Sequence, residues 1–342
     1  MSVSFDHRTP GWVTAWLGFM IALVVAMIVI GGATRLTNSG LSITEWAPIS
    51  GALPPLSQEA WIAEFERYKQ IPEFEAEHPG MDLNGFRFIY FWEWAHRQLG
   101  RIIGMAFAVP FLILLVSKRL PRGRGLHLFA VLLLIGLQGA IGWWMVYSGL
   151  QDGMVSVSQY RLATHLGMAF VILGLLIWLF MDGRRGWRPV VGRRAGWLAP
   201  LFLGLVFLQI IAGAFVAGTG SGKTFNSWPL MDGRLIPSGY WFQQPVWRNL
   251  FENAAAIQFN HRMLAYLLLG VFAVLAFRLL RKPSMQLPVI VLGALLIWQV
   301  ALGIWTLLAV APLNLSLLHQ FSSILVFIAS VWMLYRRKEL RY

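Results

Sequence analysis

The chain has 342 residues, 57% of them hydrophobic, with 17 Trp, 23 Phe, no Cys and a formal net charge of +13. Only 13% of the residues are charged, about half the roughly 25% usual in soluble domains, which excludes an ordinary water-soluble protein. The lack of Cys excludes disulfides, iron–sulfur clusters and thiolate metal ligands.

Eight apolar runs follow in order, at roughly 12–33, 90–117, 126–147, 160–181, 196–217, 256–280, 286–310 and 314–335. At 1.5 Å per residue each can cross a hydrocarbon core about 30 Å thick. The first run exceeds the length of a signal-peptide core, and no small-residue cleavage site stands out after it. No Arg- and Ser-rich presequence precedes it, so the expectation is a retained first span in a bacterial plasma (inner) membrane. The first outer connection, 34–88, is the longest. Its segment "LSQEAWIAEFERYKQ" (56–70) starts after Pro54-Pro55 and stops before Pro72. Trp61, Ile62, Phe65 and Tyr68 recur there at i, i+1, i+4 and i+7, which predicts an amphipathic helix. Such a helix can lie on the outer surface, pack on loops in water, or cover a site; the pattern alone does not choose.

The connections "SKRLPRGRG" (117–125), "DGRRGWRPVVGRR" (182–194) and "RLLRKP" (278–283) are basic, as is the tail "YRRKELRY" (335–342). With Arg8 they hold more than half of the 28 Lys and Arg. All fall on one side of an eight-span topology, so both termini are expected in the cytoplasm. The positive charge is a topology signal and not a nucleic-acid footprint.

The chain also repeats itself. "TEWAPISGALPP" (44–55) resembles "NSWPLMDGRLIP" (226–237), and "EWAHRQLGRIIG" (93–104) resembles "QFNHRMLAYLLLG" (258–270). "QGAIGWW" (138–144) pairs with "QVALGIW" (299–305), and "YRLATHLGMAFVI" (160–172) with "NLSLLHQFSSILVFI" (314–328). The expected fold is an all-α integral membrane protein whose eight transmembrane helices form two tandem pseudo-symmetric four-helix bundles. Residues 1–181 make the N-terminal half, with the long outer loop 34–88, and residues 182–342 the C-terminal half. An even span number gives both halves one orientation, related by a pseudo-two-fold axis along the membrane normal.

Of seven His, His7, His78 and His127 lack repeat partners and read as structural or solvated. His96, His165, His261 and His319 sit near the starts of spans 2, 4, 6 and 8, on the outer face, two per half. The residue four positions on is small in each case: Gly100, Ala169, Ala265 and Ser323. That leaves clearance for a flat ring and equally suits close helix packing. Two imidazoles from facing helices of a four-helix bundle suit an axial haem pair. Zinc or copper calls for three or four convergent N, S or O ligands. We therefore expect two haem sites, with these His as axial ligands of the iron. Arg97, Arg101 and Arg262 follow the ligands within about a turn. Their guanidinium forks suit haem propionates, and snorkelling to the interface explains them equally well. Gln138, Gln209 and Gln299 each stand four residues before a glycine in an odd-numbered span and read as hydrogen-bonding glue between helices.

One position breaks the repeat. Glu93, three residues before His96, is replaced by Gln258 three residues before His261. A carboxylate can take a proton or stabilise a cation, which an amide cannot. Glu93 can also pair with Arg97 at i+4, and the two roles are compatible.

"EWAHRQLGR", "RLATHLGMAF", "FNHRMLAY" and "LLHQF", in a four-plus-four arrangement, resemble the haem A synthase family over nearly the whole chain. The resemblance implies oxidation of a methyl group of haem O to a formyl group by successive hydroxylations, giving haem A. It implies that His96 and His165 hold the substrate haem, that His261 and His319 hold a haem b cofactor, and that Glu93 is catalytic. It also implies an electron donor that the sequence does not identify and a haem O synthase as a candidate partner. Association of copies stays open. Some members carry a cysteine pair in the outer loop; this chain resembles the Cys-free branch. Two other readings stand beside it: a di-haem quinol-linked cytochrome, and a transporter, although the sequence lacks the Gly/Pro-broken helices paired across two halves that mark many transporters.

Overall fold

The computed structural model of the protein describes residues 10–187 and 196–338. His7, Arg8 and the stretches 188–194 and 339–342 of the basic segments lie outside the described residues. Eight long helices dominate: α1 (Trp12–Leu36), α4 (Leu83–Val116), α5 (Gly125–Gly149), α6 (Gln159–Arg184), α7 (Leu198–Thr219), α9 (Ala254–Leu279), α10 (Pro283–Leu308) and α11 (Leu313–Lys338). Each contains a stretch long and apolar enough to cross a membrane. Among the described residues, three short α-helices lie in the connections: α2 (Gln58–Tyr68), α3 (Pro72–Glu77) and α8 (Asn249–Glu252). The chain is thus an all-helical, multi-pass membrane protein. Helices are what lipid demands, because a spanning segment must satisfy its backbone groups internally.

Span 2 differs from its expected start at 90. α4 begins at Leu83, where Asp82 caps it by accepting a hydrogen bond from Gly85 N at 2.8 Å. Its two extra turns rise into the preceding connection because α2 packs there. Phe65 stacks on Phe86 at 5.0 Å between ring centres, and Trp61 meets Tyr90 edge-on at 5.0 Å. Tyr68 and Phe86 are fully buried in this small aromatic core. Trp61, Phe65 and Tyr68 of the α2 stripe therefore rest on protein, whereas Ile62 is exposed.

α1 packs on α4 and α6, and α5 on α6; α7 packs on α9 and α11, and α10 on α11. Between the two groups, α6 lies against α7, and α11 against α1 and α6. The shared interior is apolar, with Leu17, Met20, Phe107, Leu173, Phe202, Leu275 and Ile324 buried. Lipid removes the hydrophobic drive between helices, so side-chain fit and a few polar pins hold them. At one end, buried Asp182 of α6 pairs with Arg124 at 2.7 Å and accepts from Tyr335 Oη of α11 at 2.9 Å. At the other, Tyr160 Oη donates to Glu252 Oε1 at 2.8 Å.

Candidate functional site

The four repeat-matched His occupy similar frames. His96 on α4 and His165 on α6 face each other, with ring centres 6.4 Å apart and planes at 67°. An imidazole nitrogen binds a metal at about 2 Å and lies roughly 1 Å from its ring centre, so two axial imidazoles on one metal stand about 6 Å apart. The observed separation fits that arrangement. His261 on α9 and His319 on α11 also come close enough to interact electrostatically. One ring nitrogen of His165 and one of His319 are buried without a hydrogen-bond partner, and a metal would satisfy each lone pair. Among the described residues no three or more His, Cys, Asp or Glu converge, so the ligand set of a closed zinc site is not formed there.

Each ring lies against a glycine of a neighbouring helix. A Cβ at Gly31 would stand 3.1 Å from His96 Nε2, and one at Gly142 would stand 2.9 Å from His165 Cε1. The corresponding distances are 3.3 Å from Gly213 to His261 Cε1 and 2.9 Å from Gly303 to His319 Cε1. These close approaches require the missing side chain. They also supply clearance that the small residues four positions after each ligand do not explain.

The three glutamines do more than join helices. Gln138 Nε2 donates to the carbonyl of His165 at 3.0 Å, Gln209 Nε2 to that of His261 at 3.1 Å, and Gln299 Nε2 to that of His319 at 3.1 Å. Each amide also lies 3.2–3.4 Å from a ring nitrogen of the same histidine. Each glutamine therefore fixes both the main chain and the ring of one histidine.

Glu93 is 2% exposed, and its carboxylate is surrounded by donors. Oε2 accepts from Ser42 Oγ and from Ile43 N, both at 2.8 Å. Oε1 accepts from Arg97 Nη2 at 2.6 Å and Nε at 3.1 Å. Arg97 then clamps the loop, donating to the carbonyls of Ile43 at 2.7 Å and Glu45 at 2.9 Å. Arg262 repeats this clamp: it donates to the carbonyls of Phe225 and Ser227, both at 2.9 Å, and to Gln258 Oε1 at 2.7 Å. Gln258 Nε2 in turn donates to the carbonyl of Ser221 at 2.6 Å. The helices that carry His96 and His261 are thus tied to their preceding loops in the same way, one through a carboxylate and the other through an amide. Arg101 also serves the loop, donating to the carbonyls of Ala47 and Pro48 at 2.9 Å.

The structure brings Glu93, Arg97 and the His96–His165 pair into one region, and Gln258, Arg262, His261 and His319 into another. Residue spacing alone did not single out Ser42, Gly31 or Gln320. Gln320 donates from α11 to the carbonyl of Ile28 at 2.7 Å and fills the space beside Gly32 of α1. Gly142, Gly213 and Gly303 carried one signal, their fixed distance after the glutamines; Gly31, which follows Met27, carried none.

Residues 14–331 match the COX15-CtaA family, described as cytochrome oxidase assembly protein. The chain is 55% identical over 323 residues to the heme A synthase of Maricaulis maris, covering 93% of this chain and 94% of that one. It is 48% identical over 326 residues to the heme A synthase of Dinoroseobacter shibae, covering 92% and 84%. With the heme A synthase of Parvibaculum lavamentivorans it shares 46% identity over 331 residues, covering 97% and 95%.

Proposed function

The chain belongs to the COX15-CtaA family of cytochrome oxidase assembly proteins, and we propose that it acts as a haem A synthase, a membrane oxidoreductase that turns a methyl group of haem O into a formyl group by successive hydroxylations. The observation that carries the reading is one difference between two otherwise matched frames. The His96–His165 pair has a buried carboxylate, Glu93, one turn before a ligand, where the other half has Gln258.

On this reading residues 1–181 and 182–342 are pseudo-symmetric halves. His96 and His165 hold the substrate haem O, and His261 and His319 hold a haem b cofactor, which supplies reversible one-electron chemistry when bound. The ring separation of 6.4 Å and the glycine under each ring support this ligand set. Arg97, Arg101 and Arg262 lend positive charge to the haem propionates while they hold the loops.

Glu93 has two roles open to it: accepting a proton from the reacting methyl position, or stabilising positive charge that develops there. The Ser42 and Ile43 donors and the Arg97 fork fix the carboxylate in either role. The basic connections support cytoplasmic termini, haem sites toward the outer side and a bacterial plasma membrane. A haem O synthase is the class of enzyme that must supply the substrate.

Glu93→Gln, which copies Gln258, tests the assignment. The variant should purify with haem yet give no haem A among the extracted pigments. Normal haem A would remove Glu93 from the chemistry. If cells that gain the wild-type gene made no formylated haem, the synthase reading would fail and the di-haem electron-transfer reading would replace it.

A further inference from the structure

Three of the four histidine frames share a donor that the fourth lacks. Gln138, Gln209 and Gln299 each stand four residues before the glycine under a ring, and each gives its amide N–H to that histidine's carbonyl. On α1 the glycine is Gly31, and the residue four before it is Met27. A thioether has no N–H to give and is a weak acceptor. Met27 occupies the matching place, its Cε 3.6 Å from a Cβ built on Gly100, one turn beyond His96. α1 itself is held there, because Gln320 donates to the carbonyl of the next residue, Ile28, at 2.7 Å. What is missing is therefore the side-chain donor, not the helix.

The distribution follows the two halves. His261 and His319 both rest on a glutamine, whereas in the other pair only His165 does. Partners that orient a ligating histidine hold it in place for the metal, and losing one typically costs 10- to 100-fold in metal affinity. A resident cofactor benefits from two fixed ligands. A substrate haem has to enter and leave, and one weaker ligand gives it a way to do so.

We propose that Met27 makes His96 the releasable axial ligand, so that substrate haem enters and product haem leaves on the His96 side while His165 stays fixed. The proposal rests on the assignment of the His96–His165 pair to the substrate. Release breaks the dative iron–nitrogen bond of His96 first and that of His165 as the haem departs, each electron pair returning to its imidazole; no oxidant, reductant or proton is consumed.

The test uses the full chain in detergent, loaded with haem O and mixed with excess apomyoglobin as acceptor, with transfer followed optically. Met27→Gln should slow haem O transfer about tenfold, the lower end of the range for such partners. Transfer of haem b to the same acceptor should keep its wild-type rate. The converse variant, Gln138→Met, should speed haem O transfer by a similar factor, and it decides the matter if Met27→Gln does not fold. An unchanged haem O transfer rate in a folded Met27→Gln protein would overturn the proposal, as would an unchanged rate in Gln138→Met. If His96→Ala and His165→Ala both retained haem O at the wild-type level, the assignment of this pair to the substrate would fall, and the proposal with it.

Discussion

The glycines under the histidine rings give a graded prediction. Carbon atoms in contact sit about 3.5–4.0 Å apart. A methyl group on Gly142 would begin 2.9 Å from His165 Cε1, so the ring must retreat by about 0.6 Å or more. The same holds for Gly303 beneath His319. At Gly213 the distance to His261 Cε1 is 3.3 Å, and a retreat of about 0.2 Å suffices. Metal–ligand distances tolerate about 0.2 Å, so the first two substitutions exceed the tolerance and the third sits at its edge. Overpacking of this kind costs about 1–3 kcal/mol, equivalent to a roughly 5- to 150-fold loss of haem affinity. Gly142→Ala should therefore lose haem O and keep haem b, and Gly303→Ala should do the reverse. Gly213→Ala should retain both. The assay is the haem-to-protein ratio after purification, with the extracted pigments separated by type and the low-spin signals recorded. Full occupancy and an unchanged low-spin signal in both Gly142→Ala and Gly303→Ala would refute the confinement of these rings by the neighbouring helices.

Two further outcomes follow. His261→Ala should deplete haem b before it prevents haem O binding, read from the same extracted pigments; persistence of both haems would reverse the assignment of the halves. Buried Glu73 of α3 lies outside the spans, and burial, reinforced by the charge of Glu93 and opposed by Arg35, pushes its carboxyl up from 4.5 to about 8. Between those values the folded loop keeps a proton that the unfolded chain has lost, so docking of the loop should weaken as pH rises through this window and level off above it. Limited proteolysis of the 34–82 segment should show that trend, and Glu73→Gln should flatten it.

The spans were legible because a bilayer leaves so little choice: segments must be apolar, long and helical. The start of α4 was not, because the two turns before residue 90, which carry Phe86, are mixed with Asn84 and Arg87 and read as loop. Their burial depends on Trp61, Phe65 and Tyr68 arriving from α2, a contact between segments that no local pattern encodes. The argining clamps were half legible. Arg97 beside Glu93 is an i+4 pair visible in the sequence. That its other donors hold the carbonyls of Ile43 and Glu45, as those of Arg262 hold Phe225 and Ser227, needed the loops in place. The glutamines were visible as a spacing, but small and amide-bearing residues are common wherever membrane helices pack. Only the rings lying on the glycines show which histidine each amide serves.

Glu93 and Met27 are separate departures from the repeat, on different helices, and both fall in the His96 frame. One replaces an amide by a carboxylate on the ligand helix; the other replaces an amide by a thioether on the helix behind it. The His261–His319 frames keep the amide at Gln258, Gln209 and Gln299, and every one of these amides makes a hydrogen bond. A duplicated scaffold that kept both halves for the same task would have no reason to lose two amides around one histidine. On the proposed reading, losing both there would supply a charge for the chemistry and loosen the ligand beside it, two changes that a site must combine if it is to alter a haem and then let it go.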